Sequence, residues 1–382
     1  MEIVEIIEIV VQAENSERKK TAELILEKLP AGNGKAEDEK ILAFRVAKGL
    51  PVNIHLADRD EFPTTLHAVT GSVDHVGALR SLAEKRGYTL QESGLFEKKR
   101  RIKLESEGEL FKKLGMEYLP PELRENRGEI EAALENRLPG LIRLEDIKGV
   151  FHVHTSWSDG SHTVEEMASA AKDFGLEYVG ISDHSVSARY AGGLTVDRVK
   201  KQWEEIENFN ARNGGIHVFK GVECDILTDG SLDYGDTLLE GFDFVIISVH
   251  SKLKMEKGEA TDRIIRALSH PAVTMLGHPT GRLLLAREGY LLDMERILDA
   301  CAEHGVAVEL NADPNRLDID WRYLRDASAR GIPVSINPDA HSTFAISQIE
   351  HGIRIARKGW LRKEDVLNTL PLHSVERVIR KR

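Results

Sequence analysis

From Gly149 onward the chain alternates short, nearly continuous apolar segments rich in β-branched residues with longer segments whose apolar positions recur every three to four residues. The first pattern reads as buried strand and the second as helix with one apolar face. Strands are predicted over 150–154, 178–183, 217–223, 244–250, 273–278, 306–311 and 333–337. Helices are predicted over 163–174, opened by a capping box of Thr163 with Glu166, and over 196–213, closed by Gly214 and Gly215. Repeated βα units imply an α/β fold with a parallel, barrel-like sheet of seven strands. Before Gly149 the pattern is less regular. It predicts a strand in MEIVEIIEIVVQ, an acidic helix over 16–28, a Gly-containing loop over 31–35, a helix over 73–86, a charged loop over 98–103 and a further helix within PPELRENRGEIEAAL. A small α+β domain fits, and LPGLIRLEDIKG reads as a linker over 139–148 into the barrel at 149–382.

Length agrees with more than one domain, because 382 residues exceed what one hydrophobic core usually serves. No apolar run reaches the roughly 18 residues of a membrane span, and the N-terminus lacks a basic region followed by an apolar stretch. A cytoplasmic protein with no membrane partner is expected. Cys224 and Cys301 lie in apolar or helical patterns without C-x-x-C spacing, which predicts buried, reduced thiols. The formal net charge of -11 excludes tight non-specific nucleic-acid binding over the whole surface, so a nucleic acid would have to be held locally.

Polar residues collect at one end of the predicted strands. His152 and His154 end the first, Asp183 and His184 the second, Glu223 the third, His250 the fourth and His278 the fifth, while Asp339 and His341 follow the seventh. In a parallel barrel those ends share one rim, where catalytic residues gather. One H-x-H or one glutamate there is weak evidence; a ligand-type residue at nearly every strand end calls for metal, with Zn, Mn or Fe suited to imidazole and carboxylate. His162, His217, His270, His304, His351 and His373 fall away from that rim and read as surface or packing residues.

The motifs HVHTSWSDG, ISDH, GVECDI, SVH, GHPTGR and PDAH resemble the polymerase and histidinol phosphatase (PHP) superfamily. The resemblance implies a distorted seven-stranded (β/α)7 barrel holding three divalent metal ions. Matched motif by motif, it implies His152, His154, Asp159, His184, Glu223, His250, His278, Asp339 and His341 as ligands. HPTGRLLLARE, VELNADPNRLDID and GWLRKEDVLNTLPL are similar to the C-terminal domain of bacterial family X DNA polymerases. TGSVDHVGALRSLAEKRGYTLQESGLFE resembles their thumb, and LPPELRENRGEIEAA the segment that joins it to the barrel. On this resemblance residues 1–60 are a degenerate palm remnant and 61–138 a thumb-like domain with its connecting segment. Asn53 stands where the family carries one palm carboxylate, and Ile6 and Glu8 stand where it carries the other two. Val76 replaces a family Asn. The fingers and DNA-end-binding domains expected before this strand are not legible. Nucleotidyl transfer needs carboxylates to hold its two ions, so no polymerase activity is expected.

The expected chemistry is metal-assisted phosphoester hydrolysis, with Glu223, Asp339 and His341 central and Glu223 favoured as the bridging carboxylate. Arg282 and Lys252, and more weakly Arg287, are candidates to clamp phosphoryl oxygens, against a plain reading as solvated loop residues. Lys98, Lys99, Arg100, Arg101 and Lys103 are candidates for a nucleic-acid backbone contact, against an ordinary charged loop. The leading expectation is a manganese-favouring 3'-5' exonuclease or 3'-end-processing phosphodiesterase on DNA in repair, with a repair-protein partner unidentified. The alternatives are a phosphomonoesterase on a small metabolite such as histidinol phosphate, and a DNA-end binding or docking module.

Overall fold

The computed structural model describes residues 3–28, 34–36, 40–46, 49–212 and 215–380. The chain divides into two units, Ile3–Leu138 and Pro139–Arg382. Part of the predicted loop over 31–35, and Asn213 and Gly214 at the end of the second predicted helix, lie outside the described residues.

In the first unit, strands β1 (Ile7–Gln12), β2 (Gly34–Ala36), β3 (Ile41–Arg45) and β4 (Pro51–Ala57) form a sheet of order β1-β4-β3-β2. Val52, Ile54 and Leu56 alternate onto its buried face, while Asn53 and His55 point the other way, as the period of two requires. Helix α1 (Arg18–Lys28) packs Ala22, Ile25 and Leu26 against that core. The thumb-like part follows as α2 (Phe62–Thr70), α3 (Val73–Lys85), the meander β5 (Tyr88–Gln91), β6 (Gly94–Glu97) and β7 (Arg100–Ile102), then α4 (Glu107–Lys113) and α5 (Glu129–Leu134). Its core is Leu79, Leu95, Leu110, Phe111 and Leu114. The segment expected as a charged loop over 98–103 is instead a hairpin, with Lys98 in its turn at φ +55 and Arg100–Ile102 as strand. Leu95 pairing Ile102 across it, an apolar pair flanked by the charges, explains the difference.

In the second unit, β8 (Gly149–Val153), β9 (Tyr178–Ile181), β10 (His217–Asp225), β11 (Phe244–Ser248), β12 (Met275–Leu276), β13 (Ala307–Asn311) and β14 (Val334–Asn337) lie side by side in chain order, all parallel. The barrel closes at its seam: Ala340 N donates to His152 O at 3.1 Å and His154 N to Ala340 O at 2.8 Å. Helix α6 (Val164–Asp173) begins with the expected capping box, and α7 (Val196–Ala211) ends two residues short of the expected 213. Residues alternate between two layers. Val150, Val179, Val218, Val245, Leu276 and Val308 face the helices, and Phe151, Tyr178, Phe219, Phe244, Met275 and Ala307 face inward. Glycine makes room for the inner aromatics, since a Cβ at Gly221 would stand 2.1 Å from Phe244 and one at Gly180 2.5 Å from Phe151. Leu367, Val375 and Ile379 from the C-terminal segment complete this inner cluster. Residues 139–148, expected as a linker, are packed onto the barrel through Ile142 and Ile147 in its core. Cys224 and Cys301 are buried and unbridged. No helix among the described residues is long and apolar enough to cross a membrane.

The thumb-like part buries an unusual polar chain. His67 Nε2 lies 3.2 Å from His75 Nε2, and His75 Nδ1 reaches the fully buried Glu129 carboxylate at 2.6 Å. Burial, reinforced by the Arg124 guanidinium and His75, pushes the His67 imidazole down to about 3. An unfolded His67 takes its proton near 6.5, so its contribution to folding is complete above that pH and is lost as pH falls from 6.5 toward 3. We expect hydrogen exchange along α3, corrected for intrinsic rates, to lose protection over this range, and to do so less steeply in His67→Leu. An equally steep loss in the variant would contradict the assignment.

Candidate metal centre

Two of the predicted ligands sit in strained backbone. His152 has φ +56 and Asp339 φ +51, the left-handed region that side chains with a Cβ rarely enter. The pairing of β8 with β9 is irregular between Val150 and Val153, which redirects His152 and His154 into the same interior. The seam bonds around Ala340, with Ser161 N donating to His341 O at 2.8 Å, hold both residues in place. Strain of this kind costs about 1–3 kcal/mol per residue and persists where the surroundings over-determine it.

The result is a single cluster. Glu223 Oε1 lies 2.9 Å from His278 Nε2 and 3.2 Å from both His152 Nε2 and His250 Nε2, while its Oε2 lies 2.9 Å from His184 Nδ1. Asp339 Oδ1 is 3.3 Å from His154 Nε2 and 3.5 Å from His152 Nε2. Asp159, the most exposed of the carboxylates, is 3.4 Å from His341 Nε2 and 3.5 Å from His184 Nε2. Four overlapping groups could each hold an ion: His154, Asp159, His184 and His341; His152, His278 and Asp339; His152, His154 and Glu223; His184, Glu223 and His250. Together they take in all nine residues named from the sequence.

The donor set fits metal for a second reason. His152 Nε2, both ring nitrogens of His154, His184 Nδ1 and His278 Nδ1 are buried, and although several lie near a carboxylate oxygen none makes an aligned hydrogen bond. A buried imidazole nitrogen without a partner costs free energy that a metal bond would recover. The first unit adds no such group among the described residues.

Residues 65–125 match the family model described as DNA polymerase beta thumb, and residues 151–313 match the PHP domain. The chain is 37% identical over 366 residues to the DNA polymerase/3'-5' exonuclease PolX of Bacillus subtilis, a match covering 95% of this chain and 64% of that protein. It therefore spans somewhat under two thirds of that relative's length. A probable phosphatase of Caldicellulosiruptor saccharolyticus is 30% identical over 52% of this chain and 82% of its own. Another, from a Thermoanaerobacter species, is 27% identical over 57% of this chain and 89% of its own. The chain belongs to the PHP phosphoesterase family, in its PolX-like form.

Around the PHP site stands a layer of residues that the sequence reading did not single out. Glu309 is fully buried; its Oε1 takes His152 Nδ1 at 2.6 Å and Asn337 Nδ2 at 2.9 Å, and its Oε2 takes His278 N at 2.7 Å. A proton held on His152 Nδ1 leaves Nε2 as the lone pair facing the cluster. Asp225 does the same for His250, through Nδ1 at 2.5 Å, and the Asp339 carbonyl for His341, at 2.9 Å. Asn311 Nδ2 donates to Asp339 Oδ2 at 3.0 Å. Asp183, named at a strand end, takes Thr155, Ser158 and Gln202 and so braces the loop that carries Asp159. The available signal was parity. Asp225 shares the inward face with Glu223, and Glu309 and Asn311 share it with Ala307, polar residues where the pattern calls for apolar ones.

The largest omission is Arg316. Its Nε lies 3.2 Å from Asp339 Oδ2, and its side chain is 18% exposed. By contrast the cations chosen from sequence are occupied elsewhere. Arg282 donates to the carbonyls of Arg316 and Leu317 and pairs with Asp320; Arg287 donates to Gly281 O at 2.8 Å; Lys252 pairs with Glu259 at 2.5 Å on the surface. Arg282 thus supports the loop that aims Arg316. In the first unit Arg101 turns inward, donating to Ser93 O at 2.5 Å and pairing with Glu61 at 3.5 Å, while Lys98, Lys99, Arg100 and Lys103 stay exposed.

Burial opposes charge throughout the cluster; it wins at His154, pushed down to about 3 by burial with His341 and His184 beside it, and at His278, lowered by burial and Arg316, while elsewhere the mutual field overrides it. The carboxylates of Glu223 and Asp339, beside imidazoles, are held well below the usual range. Against burial, Glu223 and Asp159 raise His184 to about 10, Glu223 and Asp225 raise His250 to about 9, and Asp159 and Asp339 raise His341 to about 9. Without metal these three rings keep a proton at neutral pH, and a metal must displace it. Apparent affinity for Mn²⁺ should therefore rise with pH from 6 toward 9, with proton release visible by calorimetry in buffers of different ionisation enthalpy; affinity flat in pH would contradict the charge assignment. Glu309→Ala should weaken metal binding about 10- to 100-fold, by analogy with other residues that orient a ligand. Unchanged affinity would remove Glu309 from the centre.

Proposed function

We propose that the protein is a metal-dependent phosphodiesterase that removes nucleotides from the 3' end of DNA in repair, working in the cytoplasm and without polymerase activity. The observation that carries the reading is the convergence of nine ligand-type side chains, several with buried ring nitrogens that make no aligned hydrogen bond, beside one partly buried arginine, Arg316, whose Nε lies 3.2 Å from Asp339 Oδ2. His154, Asp159, His184 and His341 would hold one ion, and His152, His250, His278, Glu223 and Asp339 the other two, with Glu223 placed to be shared. Mn, Zn or Fe there would supply Lewis-acid polarisation of the phosphoryl group and a water activated at neutral pH.

The chain's own residues do the rest. Arg316 is held protonated by Asp339 and Glu223 despite burial. Its guanidinium, beside the cluster, would pair phosphate oxygens and add positive charge where an anionic substrate enters. Glu309, Asp225 and Asn311 fix ligand orientation before substrate arrives. The retained thumb, and the relative named as a 3'-5' exonuclease, support DNA as substrate.

The palm remnant supports the loss of nucleotidyl transfer. Glu8 and Asn53 are direct partners in the β1–β4 register, and Glu8 accepts from Asn53 Nδ2 at 3.1 Å and meets His55 Nε2 at 2.6 Å. This one carboxylate is already engaged by side chains. A second reading, hydrolysis of a small phosphomonoester, draws on the relatives named as probable phosphatases, which match 52–57% of the chain.

Metal-stripped protein resupplied with Mn²⁺ should shorten a 5'-labelled single-stranded oligonucleotide to a ladder, and an Asp339→Ala, His341→Ala double variant should not. Arg316→Gln should lower kcat/KM by roughly 10²-fold while metal content holds. An intact oligonucleotide together with rapid hydrolysis of small phosphate monoesters would replace the nuclease reading with the second. Incorporation of dNTPs that disappears in Glu8→Ala would overturn the absence of polymerase activity.

A further inference from the structure

Exposed apolar side chains are common on protein surfaces and, scattered singly, mean little. In the barrel the exposed aromatic rings are not scattered. Among its described residues two aromatic side chains, Tyr190 and Phe344, fall in the exposed class, at 73% and 81%. Each stands on a loop that has just delivered a ligand, Tyr190 six residues after His184 and Phe344 three after His341.

Both rings are presented in the same way. Tyr190 lies in a short 3-10 turn, Arg189–Ala191, whose neighbours Ala188 and Ala191 are buried at 0% and 3%. The turn is pinned: Ala188 N donates to Ser185 O, Gly193 N to Ala188 O, and Leu194 N to His184 O, while Arg198 Nη1 donates to Gly192 O at 2.7 Å. A Cβ at Gly193 would stand 1.9 Å from Ser185 O, so the loop tolerates only glycine at that close approach. Phe344 opens the turn Phe344–Gln348, anchored by Ala345 and Ile346 at 9% and 1%. Rigid, buried anchors holding a bare ring in solvent are what a preformed contact surface requires.

The rings also stand close to the chemistry. The Tyr190 ring centroid lies 6.2 Å from that of His184 and 6.4 Å from that of His250. The His341 ring stacks on His154 at 4.2 Å, which places the start of the Phe344 loop on the Asp159 side of the cluster. His184 and His341 both border Asp159, so both loops rise beside the same part of the cluster, where a base next to a bound phosphate would meet a flat aromatic face.

We propose that Tyr190 and Phe344 are stacking platforms that hold unpaired bases next to the scissile phosphate. This rests on the nuclease reading above. In a duplex each base face is covered by its neighbour, so the platforms engage bases only when the end is unpaired. Stacking on an aromatic ring is tolerant of base identity, as trimming requires, and removing one ring usually weakens a site by about tenfold or more.

The test compares a single-stranded oligonucleotide with the same strand carrying abasic residues at its last two 3' positions. Wild type should show kcat/KM about tenfold or more higher for the strand with bases, mainly through KM, and Tyr190→Ala and Phe344→Ala should each shrink that ratio toward one. Tyr190→Phe, which keeps the ring, should retain it. A 3'-terminal 2-aminopurine should be quenched on binding to wild type and less so to Tyr190→Ala, a readout independent of turnover. Equal cleavage of both strands by wild type overturns the platforms and leaves the nuclease standing. Cleavage of neither strand overturns both. A Tyr190→Phe ratio as low as that of Tyr190→Ala assigns the role to the hydroxyl and overturns stacking.

Discussion

Glu223 is a carboxylate with 1% exposure, set among His152, His184, His250 and His278 at the inner mouth of a parallel barrel. A charge so far from water is sustained only by opposite charge and hydrogen bonds around it. The strained His152 and Asp339, the seam at Ala340 and the Glu309 network are the surroundings that make this burial sustainable. The aromatic layer of Phe151, Phe219 and Phe244 lies deeper in the same interior, so the polar layer has a dry floor and an open rim. Chemistry that depends on cations offsetting phosphate charge gains from such a setting, because electrostatic interactions strengthen as water is excluded.

Much of this was legible in the sequence for one physical reason. A buried parallel strand announces itself by an apolar run, and the residue that ends the run is confined to the rim. Candidate ligands at strand ends, such as Glu223, His250 and His278, were therefore readable as one cluster. What escaped were residues whose role depends on direction. Arg282 and Arg316 both follow strand ends in loops of similar character, yet one turns into backbone carbonyls and the other toward Asp339, and spacing does not encode that choice. Glu309 escaped because a glutamate in mid-strand contradicts burial until its partners His152, His278 and Asn337 are seen. The charged stretch over 98–103 became a hairpin because cross-strand apolar pairing outweighed a high local charge density.

The sheet of the first unit separates a packing face from a polar face. Glu8 and Asn53 hold adjacent register positions on a well-formed sheet whose other face buries Val52, Ile54 and Leu56. Packing of that face does not depend on the polar face, so the sheet tolerates change at Glu8 and Asn53. The thumb-like part invests in structure, burying His67, His75 and Glu129 in one chain of contacts. The two units thus carry different constraints: fold maintenance in the first, and a strained, charge-dense cluster in the second.

Metal stoichiometry tests the central claim most directly. Protein loaded with Mn²⁺, freed of excess ion and measured by elemental analysis should carry three ions per chain, and their positions in anomalous scattering should fall among the nine side chains around Glu223. Retention of no tightly bound ion, or of ions outside that cluster, would contradict the account.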